Sequence, residues 1–196
     1  MDKLPSSFYD RDTLTVAREL LGKYLVRVVD GHPITVRITE TEAYIGRLDK
    51  ACHAYGYKRT KRTETLFAPP GTAYIYLIYG MYHCLNFVTE AENEPAAVLI
   101  RAAQPLSPAD ADILSTMRFH CPADNMSSYQ RKNFLNGPGK LCKGLSLTKE
   151  QNGLSLTGDV LYVLDSGESP KDIHISKRIG IDYAEEAVDF PWRFYL

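Results

Sequence analysis

Thr72 to Val88 constrains the fold more than any other stretch, reading Thr-Ala-Tyr-Ile-Tyr-Leu-Ile-Tyr-Gly-Met-Tyr-His-Cys-Leu-Asn-Phe-Val. Aromatic and β-branched residues alternate up to Tyr79, Gly80 interrupts, and a second such run begins at once. This is the pattern of a β-hairpin with Tyr79-Gly80-Met81 at its tip. Successive strand side chains face opposite ways, so Tyr74 and Tyr76 share a face. Tyr79, beside the flexible glycine, sits at the apex, where there is little core to fill. On its own the stretch also reads as a tyrosine-rich hairpin that simply packs.

At 196 residues and 44% hydrophobic, the chain suits one domain spanning 1–196 with a sizeable core. A net charge of −1 excludes a generally basic nucleic-acid binder, so contact with a polyanion must come from a local patch. Lys58-Arg59-Thr60-Lys61-Arg62 is such a patch. The cysteines at 52, 84, 121 and 142 form no Cys-x-x-Cys pair and read as reduced thiols. Three have a histidine neighbour (Cys52-His53, His83-Cys84, His120-Cys121), but adjacent strand residues point to opposite faces, so no metal site is assigned. Met1 to Arg11 lacks the apolar core of a secretory signal and no apolar run reaches membrane-spanning length, so a cytoplasmic location is expected.

Along the chain, Asp12 can cap a helix with apolar Leu14, Ala17 and Leu21, ended by Gly22. Tyr24 to Val29 reads as a strand, Asp30-Gly31 as a tight turn and Ile34 to Tyr44 as the returning strand. On it, Val36, Ile38, Glu40, Glu42 and Tyr44 share one face if no bulge intervenes. That face turns from apolar to acidic, which suggests either a site at the end of a core strand or a solvated strand end. Arg47 to Leu66 is a long polar connection carrying His53 and the basic cluster.

After an acidic turn, Ala96 to Ile100 forms an apolar strand ending in Arg101, and Ser107-Pro108-Ala109-Asp110 caps a helix that runs to about Arg118. Residues 119–136 read as irregular. Asn136-Gly137-Pro138-Gly139-Lys140 opens a short helix through Leu145, which lacks nucleotide P-loop spacing but can hold one phosphate. Short strands around Leu154 and Val160, a polar segment to Arg178 and a closing strand from Trp192 to Tyr195 complete the chain. Seven tyrosines lie between Tyr44 and Tyr82, which concentrates the expected function there.

Glu40-Thr41-Glu42-Ala43-Tyr44, His53, the Tyr-Ile-Tyr-Leu-Ile-Tyr-Gly-Met-Tyr hairpin, Asn86, Arg101 and Asn-Gly-Pro-Gly-Lys-Leu-Cys together resemble the alkyladenine (3-methyladenine) DNA glycosylase family, in its bacterial form. The likeness runs from Leu20-Leu21-Gly22-Lys23 to Arg193-Phe194-Tyr195. It implies a mixed α+β fold: one domain on a curved, open barrel-like antiparallel sheet with flanking helices and a protruding β-hairpin that enters the DNA minor groove. It also implies that Glu42 is the general base, with Arg101 beside the flipped nucleotide and its phosphate. Tyr44, His53, Tyr76 and Asn86 would line the base pocket, and Tyr79 would fill the gap left by the flipped nucleotide. Lys58, Thr60, Arg62, Met81, Leu99 and Lys140 are expected at the DNA. The expected partner is double-stranded DNA containing damaged purines, bound by a monomer associated with the bacterial nucleoid, with no metal or organic cofactor.

The chemistry is coherent without the family. An extrahelical base costs roughly a few kcal/mol to unstack. A tyrosine at a hairpin tip can fill the hole, with base-aromatic stacking worth about 1 to 3 kcal/mol. A positively charged alkylated purine gains about 0.5 to 2 kcal/mol of cation-π attraction in a tyrosine cage. One carboxylate can then deprotonate a water and oppose the charge of the cationic sugar. Two rivals compete. A carbohydrate hydrolase could use Glu40 and Glu42, but residues two apart on one strand point in parallel and suit opposite sides of a scissile bond poorly. A non-catalytic nucleic-acid-binding module related to formyltransferase C-terminal domains could use the hairpin and basic loop, but would gain nothing from Glu42.

Overall fold

The two hairpins foreseen in the sequence form, and the sheet is assembled around the longer strand of the first. The computed structural model describes Met1–Leu196. Two short helices open the chain, α1 (Ser6–Tyr9) and α2 (Thr13–Glu19), the latter capped where the Asp12 carboxylate accepts the Thr15 N–H at 2.8 Å. Then follow β1 (Tyr24–Val29), β2 (His32–Ile45), β3 (Ala73–Ile78), β4 (Tyr82–Val88) and β5 (Ala96–Pro105). Helices α3 (Pro108–Phe119), α4 (Ser128–Lys132) and α5 (Pro138–Gly144) precede β6 (Leu161–Leu164), β7 (His174–Ser176) and β8 (Arg193–Tyr195).

All strand pairs are antiparallel in one open eight-stranded sheet of order β3-β4-β5-β2-β1-β6, with β8 joining β2 and β7 joining β8. The fourteen residues of β2 serve two partners on its far side in turn, β1 along His32–Arg37 and β8 along Glu40–Glu42. The main core of 28 buried residues fills one side of the sheet, with Val16, Leu20, Leu114 and Leu141 meeting Ile38, Leu85, Phe87 and Ile100. No helix is long and apolar enough to cross a membrane.

Three expectations need correction. The face shared by Val36, Ile38, Glu40, Glu42 and Tyr44 does not exist, because β2 and β5 pair irregularly between Ile38↔Ala103 and Thr41↔Ile100. There Glu40 lies opposite Ala102, and Thr39 and Arg101 are left out of the ladder. Both strands thereby change phase. Val36 and Ile38 face the core before the irregularity and Ala43 after it, while Thr41 donates to the Ala17 carbonyl at 2.7 Å. Unbroken alternation would have driven Glu42 into that apolar core; the phase change turns Glu40, Glu42 and Tyr44 to the other side. Second, no strand forms around Leu154, where backbone pairing amounts to an isolated bridge between Thr72 and Ser155. Third, 119–136 is less irregular than expected, since a Ser127–Gln130 capping box starts α4. The strand β7 lies in the segment read as merely polar.

Candidate active site

Strand register gathers the centre of the site. Across five strands, Tyr74 pairs with Asn86, Asn86 with Leu99, Leu99 with Glu42 and Glu42 with Arg193, so one transverse row brings together residues 74, 86, 99, 42 and 193. Paired residues on neighbouring strands project to the same side. Above this row a cleft of about 890 Å³ opens, lined among others by Tyr44, His53, Tyr76, Tyr79, Asn86, Leu99, Arg101 and Lys140.

Glu42 lies beneath this lining and is fully buried. Its Oε2 accepts the Tyr44 hydroxyl at 2.8 Å and its Oε1 accepts the backbone N–H of Ile179 at 2.9 Å. The Arg101 guanidinium approaches Oε1 to 3.6 Å. Burial raises the Glu42 pKa above the ordinary glutamate range, while Arg101, the Tyr44 and Ile179 hydrogen bonds and Arg178 pull it back. Burial and the Glu42 charge hold Tyr44 firmly protonated, as burial does Tyr76. Glu40 is a different kind of carboxylate, because its Oε1 accepts from Arg101 at 2.9 Å and from Arg193 at 2.6 Å. With two guanidiniums on one oxygen, it serves as a counter-charge that holds Arg101 beside Glu42.

The aromatic wall stands on β3. Tyr74 and Tyr76 lie 5.4 Å apart, and His53 meets the Tyr76 ring edge-on at 4.5 Å while its Nδ1 bonds the Tyr74 hydroxyl at 3.0 Å. Burial, then the nearby Arg62, push the His53 pKa down to about 4, so the imidazole is neutral at physiological pH. Asn86 spends both amide hydrogens on backbone, donating to the Tyr74 and Cys84 carbonyls at 3.1 and 3.3 Å. Beyond the wall, the hairpin tip projects with Tyr79 77% exposed and Met81 68% exposed. Tyr79 holds φ 53° and Gly80 φ 71°. A left-handed backbone costs a non-glycine residue about 1 to 2 kcal/mol, so the turn holds this tyrosine out at an energetic cost.

The remaining expected residues are more scattered. Lys140 lines the far end of the cleft with its ammonium tied to Asn133 and Asn136 at 2.9 and 3.0 Å. The ring of Tyr82 packs so closely on α5 that a Cβ at Gly139 would come within 2.9 Å of it. Leu99 is buried on the cleft floor. Lys58 and Thr60 are exposed on the loop outside the cleft lining, and Arg62 reaches over the Tyr76 ring at 5.4 Å. Arg59 is engaged with Glu64 at 2.7 Å and lies over Phe67.

Sequence reasoning missed Ile179, which works through a backbone N–H that its side chain does not advertise. It also missed Arg178 and Asp49, a fully buried ion pair from segments 129 residues apart. The nearest signal was an Arg next to an Ile-Gly-Ile run, too common to stand out.

The family model for methylpurine-DNA glycosylase matches residues 7–196. Similar curated proteins whose names refer to a 3-methyladenine DNA glycosylase come from Clostridium perfringens strain SM101 (53% identical, covering 99% of this chain and 95% of that protein), Alkaliphilus oremlandii (49%, 99% and 95%) and Desulfitobacterium hafniense (48%, 100% and 96%). With one family model spanning nearly the whole chain and relatives near half identity along nearly all of their length, the chain belongs to the methylpurine-DNA glycosylase family.

Proposed function

We propose that this chain is a monofunctional glycosylase that turns an alkylated purine out of double-stranded DNA and encloses it between Tyr44, His53 and Tyr76. It then hydrolyses the N-glycosidic bond with a water activated by Glu42. The coarser part rests on the family: a 3-methyladenine DNA glycosylase, hydrolysing N-glycosyl bonds in DNA during base excision repair. The finer part is carried by one observation, the buried Glu42 carboxylate held by one O–H and one N–H directly under an aromatic cleft.

Each carboxylate oxygen has two lone-pair positions, so after accepting from Tyr44 and Ile179 each retains one for a water. A base raised above the usual carboxylate range takes a proton more readily, and its negative charge opposes the oxocarbenium-like sugar. The neutral His53 matters for selectivity, since an imidazolium in the cage would repel a cationic base. Tyrosine faces attract such a base by about 0.5 to 2 kcal/mol, a gain an undamaged purine lacks. Lesions of the 3-methyladenine and 7-methylguanine type fit this logic best; neutral hypoxanthine or ethenoadenine would rely on stacking alone.

The test is incubation with duplexes that each carry one defined lesion, followed by alkali. Strand scission at 3-methyladenine and 7-methylguanine sites is expected, and its absence from every duplex would sink the proposal. The cations nearest Glu42 are arginines, Arg101 and Arg178, which offer no amine to attack the sugar. Borohydride is therefore expected to trap no covalent adduct, and trapping in high yield would overturn the monofunctional assignment.

Affinity for DNA should fall with salt more steeply than a net charge of −1 suggests. Lys58, Lys61 and Arg62 are exposed on one loop, and neutralising any one of them that meets a phosphate should flatten the log-log slope by about 0.9. Replacement of Arg59, already paired with Glu64, should change it less. An unchanged slope after removing all three charges would take the loop off the DNA.

A further inference from the structure

We infer that Arg178, locked against Asp49 in the interior, is a positioning residue for Glu42: one guanidinium fixes both groups that hold the carboxylate. Its Nη1 donates to Asp49 Oδ2 at 2.5 Å and to the Ala43 carbonyl at 2.8 Å. Its Nη2 donates to Asp49 Oδ1 at 2.8 Å and to the Ala187 carbonyl at 3.2 Å. Both side chains of the pair are fully buried. Ala43 lies on β2 between Glu42 and Tyr44. The guanidinium also lies 4.6 Å from the Tyr44 ring centre and 5.1 Å from that of Trp192. Tyr44, packed on this cation, donates its hydroxyl to Glu42 Oε2, and the residue after Arg178 donates its N–H to Oε1.

The pair makes poor sense as a stability device alone. Burying two charges costs several kcal/mol per ion, and apolar replacement of both partners is often neutral or stabilising. Arg178 Nε is moreover buried without a hydrogen-bond partner. What an apolar pair could not supply is a planar fork that joins β2, the turn at Asp49 and the 185–189 segment while keeping a cation under Tyr44. The groups acting on Glu42 come from every side: Arg101 from β5, Tyr44 and the Arg-paired Glu40 from β2, Cys84 from β4, and Arg178 with Ile179 from the segment between β7 and β8. Among them Arg178 alone touches both the support of Oε2 and the support of Oε1.

The inference rests on Glu42 as general base, and the experiment separates the two. The double variant Arg178→Met, Asp49→Asn leaves no unpaired charge behind, and Arg178→Lys keeps a cation but not the fork. Folding is checked by thermal melting. Single-turnover excision of 7-methylguanine from a duplex is followed across pH, and the Glu42 carboxyl is titrated by ¹³C NMR in the DNA-free protein. The double variant is expected to lose up to about 100-fold in rate at neutral pH, as misplacement of a reacting group by about 1 Å does. Its acid limb and its Glu42 titration should both move to higher pH. Arg178→Lys is expected to slow excision with the acid limb in place. A folded double variant with wild-type titration and rate, or Arg178→Lys with wild-type rate, would overturn the inference, as would failure of both variants to fold. If Glu42→Gln excises normally, the general-base reading falls, while the NMR titration still decides whether Arg178 governs the carboxylate.

Discussion

Glu42→Gln is expected to lower single-turnover excision by a factor of about 10² to 10⁴, the usual contribution of a positioned general base, while lesion binding and folding survive. Folding should survive because the amide can be satisfied where the carboxylate was. Its oxygen can accept from Ile179, and its NH₂ can donate to the Tyr44 hydroxyl, which rotates to suit. Arg101 keeps its bond to Glu40 at 2.9 Å and is not stranded. What the amide cannot do is take a proton from water. The wild-type pH profile should carry the same information. Since burial raises the Glu42 pKa, the carboxyl stays protonated to a higher pH than an ordinary glutamate. Excision should therefore fall as pH drops, on a limb lying above the ordinary value near 4.3, and the residual activity of the glutamine variant should lack that limb. Near-normal excision by Glu42→Gln would remove Glu42 from the chemistry.

Tyr79→Ala should damage extrusion of the base rather than its hydrolysis. Tyr79 stands at a hairpin tip with most of its ring in solvent, whereas Tyr44 and Tyr76 lie in the cleft wall. Removing the wedge forfeits about 1 to 3 kcal/mol of stacking, or roughly 5- to 150-fold in the extrahelical population. The loss should shrink when the lesion is mispaired, because unstacking is then already cheap. Tyr44→Ala and Tyr76→Ala should gain no such rescue, since they weaken the grip on a base already extruded. The comparison is single-turnover excision of one cationic lesion in paired and mispaired duplexes. Equal rescue of Tyr76→Ala and Tyr79→Ala would dissolve the distinction between wedge and cage.

Much of this was legible because hairpins write themselves locally. Alternation, a glycine at the apex and runs of tyrosine placed Tyr74, Tyr76 and Tyr79 correctly on β3 and its turn, with Ile78 opposite Tyr82 as the last pair. The long β2 was legible as a strand but not in its facing. Thr39 looks like any strand residue, and its departure from the ladder is matched by Arg101 on a strand some sixty residues away. The supports of Glu42 were hidden for a related reason. Ile179 contributes only backbone, and the Arg178–Asp49 pair closes across 129 residues, beyond what periodicity or spacing encodes.

The phase change in β2 and β5 divides the sheet by duty. Along His32–Arg37, β2 answers to the packing of Ile34 and Val36; from Glu40 onward it keeps Thr41 and Ala43 on the core and turns Glu40, Glu42 and Tyr44 to the cleft side. The two halves are keyed to each other by the break in the ladder at Thr39 rather than by residue identity. Substitutions at the cleft-facing positions 40, 42 and 44 can remodel the cleft while Thr41 and Ala43 keep their contacts on the core side. Were Thr39 drawn into the ladder with no residue lost, the whole second half would instead turn by one side-chain step, presenting Thr41 and Ala43 to the cleft and driving Glu40 and Glu42 toward the hydrocarbon interior. The residue left out of the ladder at 39 thus keeps the site facing outward, and its deletion, which sets Glu40 beside Ile38 in regular alternation, would preserve that facing.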